Sequence, residues 1–142
     1  MGLAALAAGV AALSPLAIGP AAAQPAPRTL RFVIIPKITH PWFDEVFRGA
    51  EQAALMIQSQ AATTRVVRDY QPPAQALVEQ QAAILQRAIA ARPDGFSIDP
   101  LDDTRIAPLQ QHARSQGIPL TVFDAESPKG LAIPSIGTDF CR

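Results

Sequence analysis

Hydrophobic residues follow two patterns along this chain, and the two patterns alternate with a period of about 30 residues. Short apolar or β-rich runs predict five strands, at Leu30–Pro36, Arg65–Tyr70, Phe96–Asp99, Ile118–Phe123 and Leu131–Gly137. Repeated strand–helix units of this kind are typical of an α/β fold built on a parallel sheet.

Between the first four strands, apolar residues at three- and four-residue spacing predict three helices. The first begins near Pro41 and carries an apolar stripe of Phe43, Val46, Phe47, Ala50, Ala54 and Ile57. The second runs from about Ala74 to Ala91, and Gln81 interrupts its stripe of Leu77, Val78, Leu85, Ala88 and Ile89. The third is capped by Asp102 or Asp103 and ends at Gly117, with an inward face of Ile106, Leu109 and Ala113.

The predicted fold is a doubly wound parallel sheet with strand order 2-1-3-4-5. In such a sheet, small ligands bind outside the carboxyl ends of the strands, where the strand order reverses. Here that reversal falls between the first and third strands. Pro134 lacks an amide donor, so the fifth strand is predicted to lie at an edge or to be irregular.

Six residues lie at or just beyond the carboxyl ends of the first, third and fourth predicted strands: Lys37, His40, Trp42, Phe43, Asp99 and Asp124. A sugar offers an apolar ring face surrounded by hydroxyl groups. Aromatic side chains can stack on the ring face, and carboxylates or cations can hydrogen-bond to the hydroxyls. The sequence therefore predicts a site for a polyhydroxylated ligand at this edge of the sheet.

Each of these residues also has a structural interpretation that the sequence leaves open. Phe43 lies on the apolar stripe and could belong to the core, while Trp42 could serve at a surface or a hinge. His40 could cap the first helix. The two aspartates could be turn residues that follow strands, and Lys37 could be a solvated charge.

The N-terminal segment Met1–Ala23 has no charged residue and ends in three alanines. This pattern predicts a secretory signal peptide with a small-residue cleavage site. Two prolines and the shortness of the apolar run argue against a membrane-spanning helix. Residues 24–28 are predicted to be a linker and residues 29–139 a ligand-binding lobe. The formal net charge of the 142-residue chain is zero, which favours no nucleic-acid partner.

The sequence indicates no catalytic residue, metal site or cofactor. No Gly-rich phosphate loop follows the first strand, and no Gly-x-Ser-x-Gly motif occurs. His40 and His112 lie in different units, which does not suit a zinc site. The pair Asp102-Asp103 fits a helix cap better than a cation site. The single cysteine, Cys141, is assigned no role.

Several segments occur in an order and at spacings shared with a known family. They are Ile34–Lys37, His40–Phe43, Gly49–Ala54, Asp94–Pro100, Gly117–Pro119, Phe123–Asp124 and Ile136–Asp139. Together they resemble periplasmic sugar-binding proteins of the ribose-binding type, over essentially all of the chain after the signal. The Pro36-Lys37 pair is similar to relatives that bind rhamnose or furanosyl signalling molecules.

This resemblance implies a periplasmic solute receptor of an ABC importer, in which two α/β lobes close over a sugar. It implies a small sugar as ligand, a membrane permease as partner, a monomeric receptor and no enzymatic activity. At the position of His40 the family usually has Asn, and Asn is also common at that of Asp99. The positions of Trp42 and Phe43 are those of the stacking aromatics, and Asp124 corresponds to an aspartate that clamps sugar hydroxyls.

The resemblance also indicates which part of the family's fold the end of the chain corresponds to. Thr138 and Asp139 correspond to the first crossing of the hinge, and residues 140–142 to the start of the crossover. The second lobe would then be missing, so the chain is expected to be an N-terminal fragment or a truncated product.

Two other classes of protein share this type of fold. A sensor lobe of a lactose-repressor-type regulator would begin with a basic helix-turn-helix, where this chain has its predicted export signal. A small secreted flavodoxin-like enzyme would need a nucleophile–base pair or a phosphate cradle, and neither is evident in the sequence.

Overall fold

A computed structural model describes residues 26–137 of the chain. Its strands are β1 (Arg28–Ile35), β2 (Thr64–Tyr70), β3 (Gly95–Ile98), β4 (Leu120–Phe123) and β5 (Ser135–Ile136). Its helices are α1 (Pro41–Gln60), α2 (Val78–Ala90) and α3 (Asp103–Ser115). The predicted signal peptide, the first two linker residues, the predicted hinge pair Thr138 and Asp139, and Cys141 lie outside the described residues.

The strands form one sheet in the order β2-β1-β3-β4-β5, and every neighbouring pair is parallel. The predicted fold class and strand order are therefore confirmed. β1 begins at Arg28, within the predicted linker, because its pairing with β2 extends back to Thr64. The order reverses at β1, so the carboxyl ends of β1 and β3 are neighbours at the switch point.

The core lies on both faces of this sheet, since successive strand residues point to opposite sides. On one face, Val33 and Ile35 of β1 join a buried cluster with residues of α2, α3, β3 and β4. On the other face, Ile34 packs with Phe43 of α1 and Phe123 of β4. The helices thus cover opposite faces and leave the carboxyl edge of the sheet accessible.

Helix α1 begins at Pro41, as predicted, and its cap is the side chain of His40. The His40 ring nitrogen Nδ1 accepts a hydrogen bond from the backbone N–H of Trp42 at 3.1 Å. Most of the predicted apolar stripe is buried or half-buried, but Ile57 is exposed. The prediction that Ile57 is buried was wrong. Ile57 lies in the last turn of α1, which ends at Gln60, and this turn extends past the buried cluster under the helix.

Helix α2 begins at Val78, four residues later than predicted. Its N-cap is Leu77, in an extended conformation and without a side-chain capping bond. Leu77 is exposed, so its assignment to the buried stripe was wrong. Gln81, which interrupted that stripe in the sequence, is fully buried instead.

Helix α3 agrees with the prediction at both of its ends, whereas β5 is shorter than predicted. The Asp102 carboxylate caps α3 by accepting from the Arg105 N–H at 2.9 Å, and Gly117 follows the helix with φ of +75°. β5 is an edge strand, as predicted, but it has only two residues. Ala132 has φ of +39°, which interrupts the extended run before Pro134.

Within residues 26–137, no helix is both long and apolar enough to cross a lipid bilayer.

Candidate functional site

The carboxyl ends of β1, β3 and β4 bring three charged side chains to one edge of the sheet. Lys37 lies two residues after β1, Asp99 directly follows β3, and Asp124 directly follows β4. The ladder places Ile35 beside Ile98 and Ile98 beside Val122, so the residues after these positions are neighbours across the sheet. The sequence-based expectation that these strand ends meet is borne out by this register.

Lys37 lies between the two carboxylates. Its Nζ atom is 2.8 Å from Asp99 Oδ1 and 4.0 Å from Asp124 Oδ2. The Asp99 side chain is 0% exposed, whereas those of Lys37 and Asp124 are 34% and 39% exposed. Lys37 therefore neutralises a carboxylate beneath it while part of its own side chain faces solvent.

Burial changes the acidity of Asp99. Desolvation raises the pKa of this carboxyl from 3.8 to about 6, because the charged form loses its contact with water. The adjacent Lys37 ammonium lowers the pKa, and the negative charge of Asp124 raises it. No other side chain among residues 26–137 hydrogen-bonds to the carboxylate, so Lys37 is its main source of stabilisation.

Trp42 lies on the first turn of α1 and lines a pocket together with one of these charged residues, Asp124. Its side chain is 47% exposed, although large aromatic side chains are usually mostly buried. The ring shares a pocket of about 290 Å³ with one carboxylate, the lining residues being Trp42, Val46, Phe123, Asp124, Ile136 and Gly137. An exposed indole and a carboxylate thus line the same concave surface.

Phe43 lies behind this surface and is only 7% exposed. Its ring meets Trp42 edge-on, with centroids 4.9 Å apart, and meets Phe123 in the same way at 6.2 Å. It packs in the core under α1, which was the structural alternative for this residue. Phe43 holds the indole in place and leaves little ring surface for a ligand.

The backbone at Asp124 has an unusual conformation. Its φ is +52°, in the left-handed region that is uncommon for residues other than glycine. The Asp124 N–H nevertheless donates to the Ile136 carbonyl at 2.9 Å, which ties the end of β4 to β5. This bond fixes the residue from which the carboxylate reaches the pocket.

Sequence reasoning missed Gln81 of α2, which lies beneath the charged residues and is 0% exposed. Its side chain bonds to main-chain atoms of Pro36, Asp99 and Leu101. The signal in the sequence was a single polar residue within an apolar helical stripe, since a buried polar group needs partners.

His40 and the remaining acidic residues do not form a metal site in the part of the chain that is described. Over residues 26–137, no group of three or more His, Cys, Asp or Glu side chains is arranged to hold a metal ion. His40 is exposed and engaged in the helix cap.

Comparison with protein families identifies a match over most of the chain. Residues 31–142 match a family model described as a periplasmic binding protein domain. This match covers all three helices and all five strands except the first three residues of β1, and it includes the charged residues of the site. A search of the curated proteins finds no match.

Solved structures with the same fold include three sugar-transport proteins. A sugar-binding protein of a sugar ABC transporter from Bacillus halodurans is 27% identical, with a TM-score of 0.62 over 78% of this chain and 36% of its own. An ABC transporter solute-binding protein from Agrobacterium vitis, bound with α-D-tagatopyranose, is 25% identical, with a TM-score of 0.63 over 78% and 38%. A periplasmic ribose ABC transporter protein from Conexibacter woesei is 20% identical, with a TM-score of 0.65 over 81% and 36%.

These structural similarities support the predicted fold. At 20% identity, the similarity to the Conexibacter woesei protein supports the fold alone. The chain spans 36% to 38% of the length of these three proteins. The part of this chain that the structure describes is one α/β unit, which carries Lys37, Trp42, Asp99 and Asp124.

Proposed function

The chain belongs to the family of periplasmic binding protein domains, and from this premise we propose that its carboxyl-edge site binds a monosaccharide or similar polyol. The observation that carries the proposal is the pocket shared by Trp42 and Asp124. An indole face suits the C–H face of a sugar ring, and a carboxylate accepts hydrogen bonds from vicinal hydroxyls.

The charged residues have different roles in this proposal. Asp124 and Lys37, both partly exposed, contact the hydroxyls directly. Asp99 is fully buried, so it acts on the ligand through Lys37, whose ammonium it holds at 2.8 Å. Trp42 stacks on the ring, Phe43 supports Trp42 from behind, and His40 fixes the turn that delivers both aromatics.

In the cell, we propose that the protein is the substrate-binding component of an ABC-type sugar importer and not an enzyme. It would act in the periplasm after export by the predicted signal peptide, as a monomer that delivers sugar to a membrane permease. Thr138 and Asp139 would form part of a hinge to a second lobe. The Bacillus halodurans and Agrobacterium vitis proteins support this role, since both are solute receptors of ABC transporters.

Trp42 provides a direct probe, because it is the only tryptophan of the chain. We would titrate the 142-residue chain with D-tagatose and with a panel of pentoses, hexoses, deoxysugars and cyclitols, and follow the tryptophan emission. A saturable change is expected with at least one sugar. Its affinity should be low, because a single lobe buries only one face of the ligand.

A pair of carboxylate variants provides the control. Asp124→Asn should weaken the response about tenfold, since a charge-assisted bond to a hydroxyl is lost. Glu126→Gln removes a neighbouring exposed carboxylate that does not line the pocket, and it should leave the titration unchanged. A folded chain whose tryptophan emission responds to no sugar of the panel would refute the proposal.

A further inference from the structure

Gln81 forms three hydrogen bonds beneath the candidate site, and all three go to the main chain. Its Nε2 donates to the Pro36 carbonyl at 3.1 Å and to the Asp99 carbonyl at 2.7 Å. Its Oε1 accepts from the Leu101 N–H at 2.9 Å. The side chain is 0% exposed, so water cannot replace any of these partners.

These bonds begin where the β-sheet ladder between β1 and β3 ends. The ladder ends with a main-chain hydrogen bond from the Asp99 N–H to the Ile35 carbonyl, at 3.0 Å. The next carbonyls, those of Pro36 and Asp99, point to a single amide nitrogen on α2. Gln81 thus joins the two strands one step past the ladder.

We call the two Gln81 bonds to the Pro36 and Asp99 carbonyls the Gln81 tie. This tie lies next to the ion pair of Lys37 and Asp99. Lys37 follows Pro36 directly, and Asp99 is itself one of the bonded residues. The backbone atoms from which the Lys37 and Asp99 side chains extend are therefore both held by the same amide group. Without that group, the turn after β1 would be free to move away from β3, since Pro36 has no N–H to form another main-chain bond.

We infer that Gln81 is a positioning residue that keeps Lys37 and Asp99 paired and so presents the Lys37 ammonium to the bound sugar. The inference rests on the proposed sugar site for its function, but the pairing can be tested without any sugar. Only an amide satisfies these partners, because two donors and one acceptor are required on one short side chain. A carboxylate has no N–H to donate, and an apolar side chain satisfies none of the three.

The chain contains a matched control. Gln110 of α3 is also 0% exposed, yet neither its Nε2 nor its Oε1 has a hydrogen-bond partner among residues 26–137. Gln110→Met removes a buried amide of the same size without removing a tie between strands. Gln81→Met removes the tie, and Gln81→Asn keeps the amide but shortens the side chain by one methylene, so it cannot reach both carbonyls.

The test is a double-mutant cycle that follows the Asp99 carboxyl carbon by NMR across a pH titration of the 142-residue chain. In the parent protein, Lys37→Met should raise the pKa of Asp99 by about one pH unit or more, since a nearby cation is lost. The same rise is expected in the Gln110→Met background. In the Gln81→Met and Gln81→Asn backgrounds, Lys37→Met should change the pKa by less than about a third of that amount.

If Lys37→Met raised the pKa of Asp99 equally in the Gln81 and Gln110 backgrounds, the inference would be overturned. Lys37 and Asp99 would then form their ion pair without the Gln81 tie. If Gln81→Met does not fold, the less disruptive Gln81→Asn decides the same comparison. D-tagatose binding in these variants tests the functional half separately. If the cycle gives the expected result but no sugar binds the parent chain, the positioning role holds and the proposed function fails.

Discussion

Lys37 Nζ lies 2.8 Å from Oδ1 of Asp99, and the Asp99 side chain is completely buried. A buried carboxylate with one cationic partner loses more hydration than a surface ion pair and depends strongly on that partner. Lys37 also approaches Asp124, which is exposed to the pocket. The three residues therefore form one electrostatic unit, whose stability and proposed ligand contacts both depend on the protonation state of Asp99.

We predict that Asp99 makes the fold less stable as the pH rises from about 4 to 7. Its pKa is about 6 in the folded protein against an ordinary value of 3.8, so the folded state binds more protons than the unfolded state between these values. The contribution of Asp99 to stability is thus fully present below about 3.8 and is lost as the pH rises through about 6. The loss is at most about 3 kcal/mol.

Urea unfolding of the parent protein and Asp99→Asn between pH 4 and 8 measures this effect. Asn cannot titrate, so the free energy of unfolding of the variant, relative to the parent, should increase across this range. Glu126→Gln serves as the reference, because it removes an exposed carboxylate from a nearby loop. Parallel pH profiles for the parent and Asp99→Asn would contradict the prediction.

The strand order was predictable because strand and helix patterns alternate regularly along the sequence, and parallel units of this kind have few possible arrangements. The helix starts were less predictable. Pro41 and His40 mark the start of α1 clearly, whereas α2 begins after Leu77, a residue with no capping group. Without such a signal, the apolar pattern alone placed the start too early.

The composition of the site was partly predictable, because residues after parallel strands meet at one edge of the sheet. The sequence could not show that Asp99 is covered by Lys37, since this depends on the conformation of the turn after β1. Gln81 was missed for a related reason. Its partners lie 45 and 18 residues away in sequence for the two carbonyl bonds, and no local pattern specifies main-chain contacts at that range.

We predict that the exposed ring of Trp42 contributes directly to sugar affinity. Trp42→Ala should weaken D-tagatose binding about tenfold, because both the stacked area and the aromatic contact are lost. Trp42→Phe keeps an aromatic face and should lose only about two- to fivefold. Since these variants lack the fluorescent probe, saturation-transfer NMR is the suitable measurement.

Met56→Ala is the matched control for Trp42, because Met56 is another exposed apolar residue of α1 and does not line the pocket. It should bind D-tagatose as the parent does. Comparable losses for Met56→Ala and Trp42→Ala would indicate a general effect on the helix and would argue against stacking.

Two glycine-to-alanine substitutions are predicted to change stability in opposite directions. At Gly95 of β3, an added Cβ would lie 3.2 Å from the Phe32 ring and from the Pro119 carbonyl oxygen, so Gly95→Ala should destabilise the fold by about 1–2 kcal/mol. At Gly49, within α1, nothing lies within 4 Å of the added atom. Gly49→Ala should stabilise the fold by about 0.5–1 kcal/mol, because alanine favours the helix. Thermal unfolding of both variants compares them, and shifts of the same sign would contradict this account of Gly95.

The final prediction separates the charge of Asp124 from its backbone. With φ of +52°, this position favours Asn, which tolerates the left-handed region better than most residues, and it disfavours Ala. Asp124→Asn should therefore keep the stability within about 0.5 kcal/mol, while Asp124→Ala should lose about 1–2 kcal/mol. Both should weaken D-tagatose binding, because both remove the carboxylate from the pocket beside Trp42. Unfolding and binding measured on the same two variants would show this divergence. If the Asn variant bound D-tagatose as well as the parent, the carboxylate would have no part in recognition, and the site would depend on the indole and Lys37 alone.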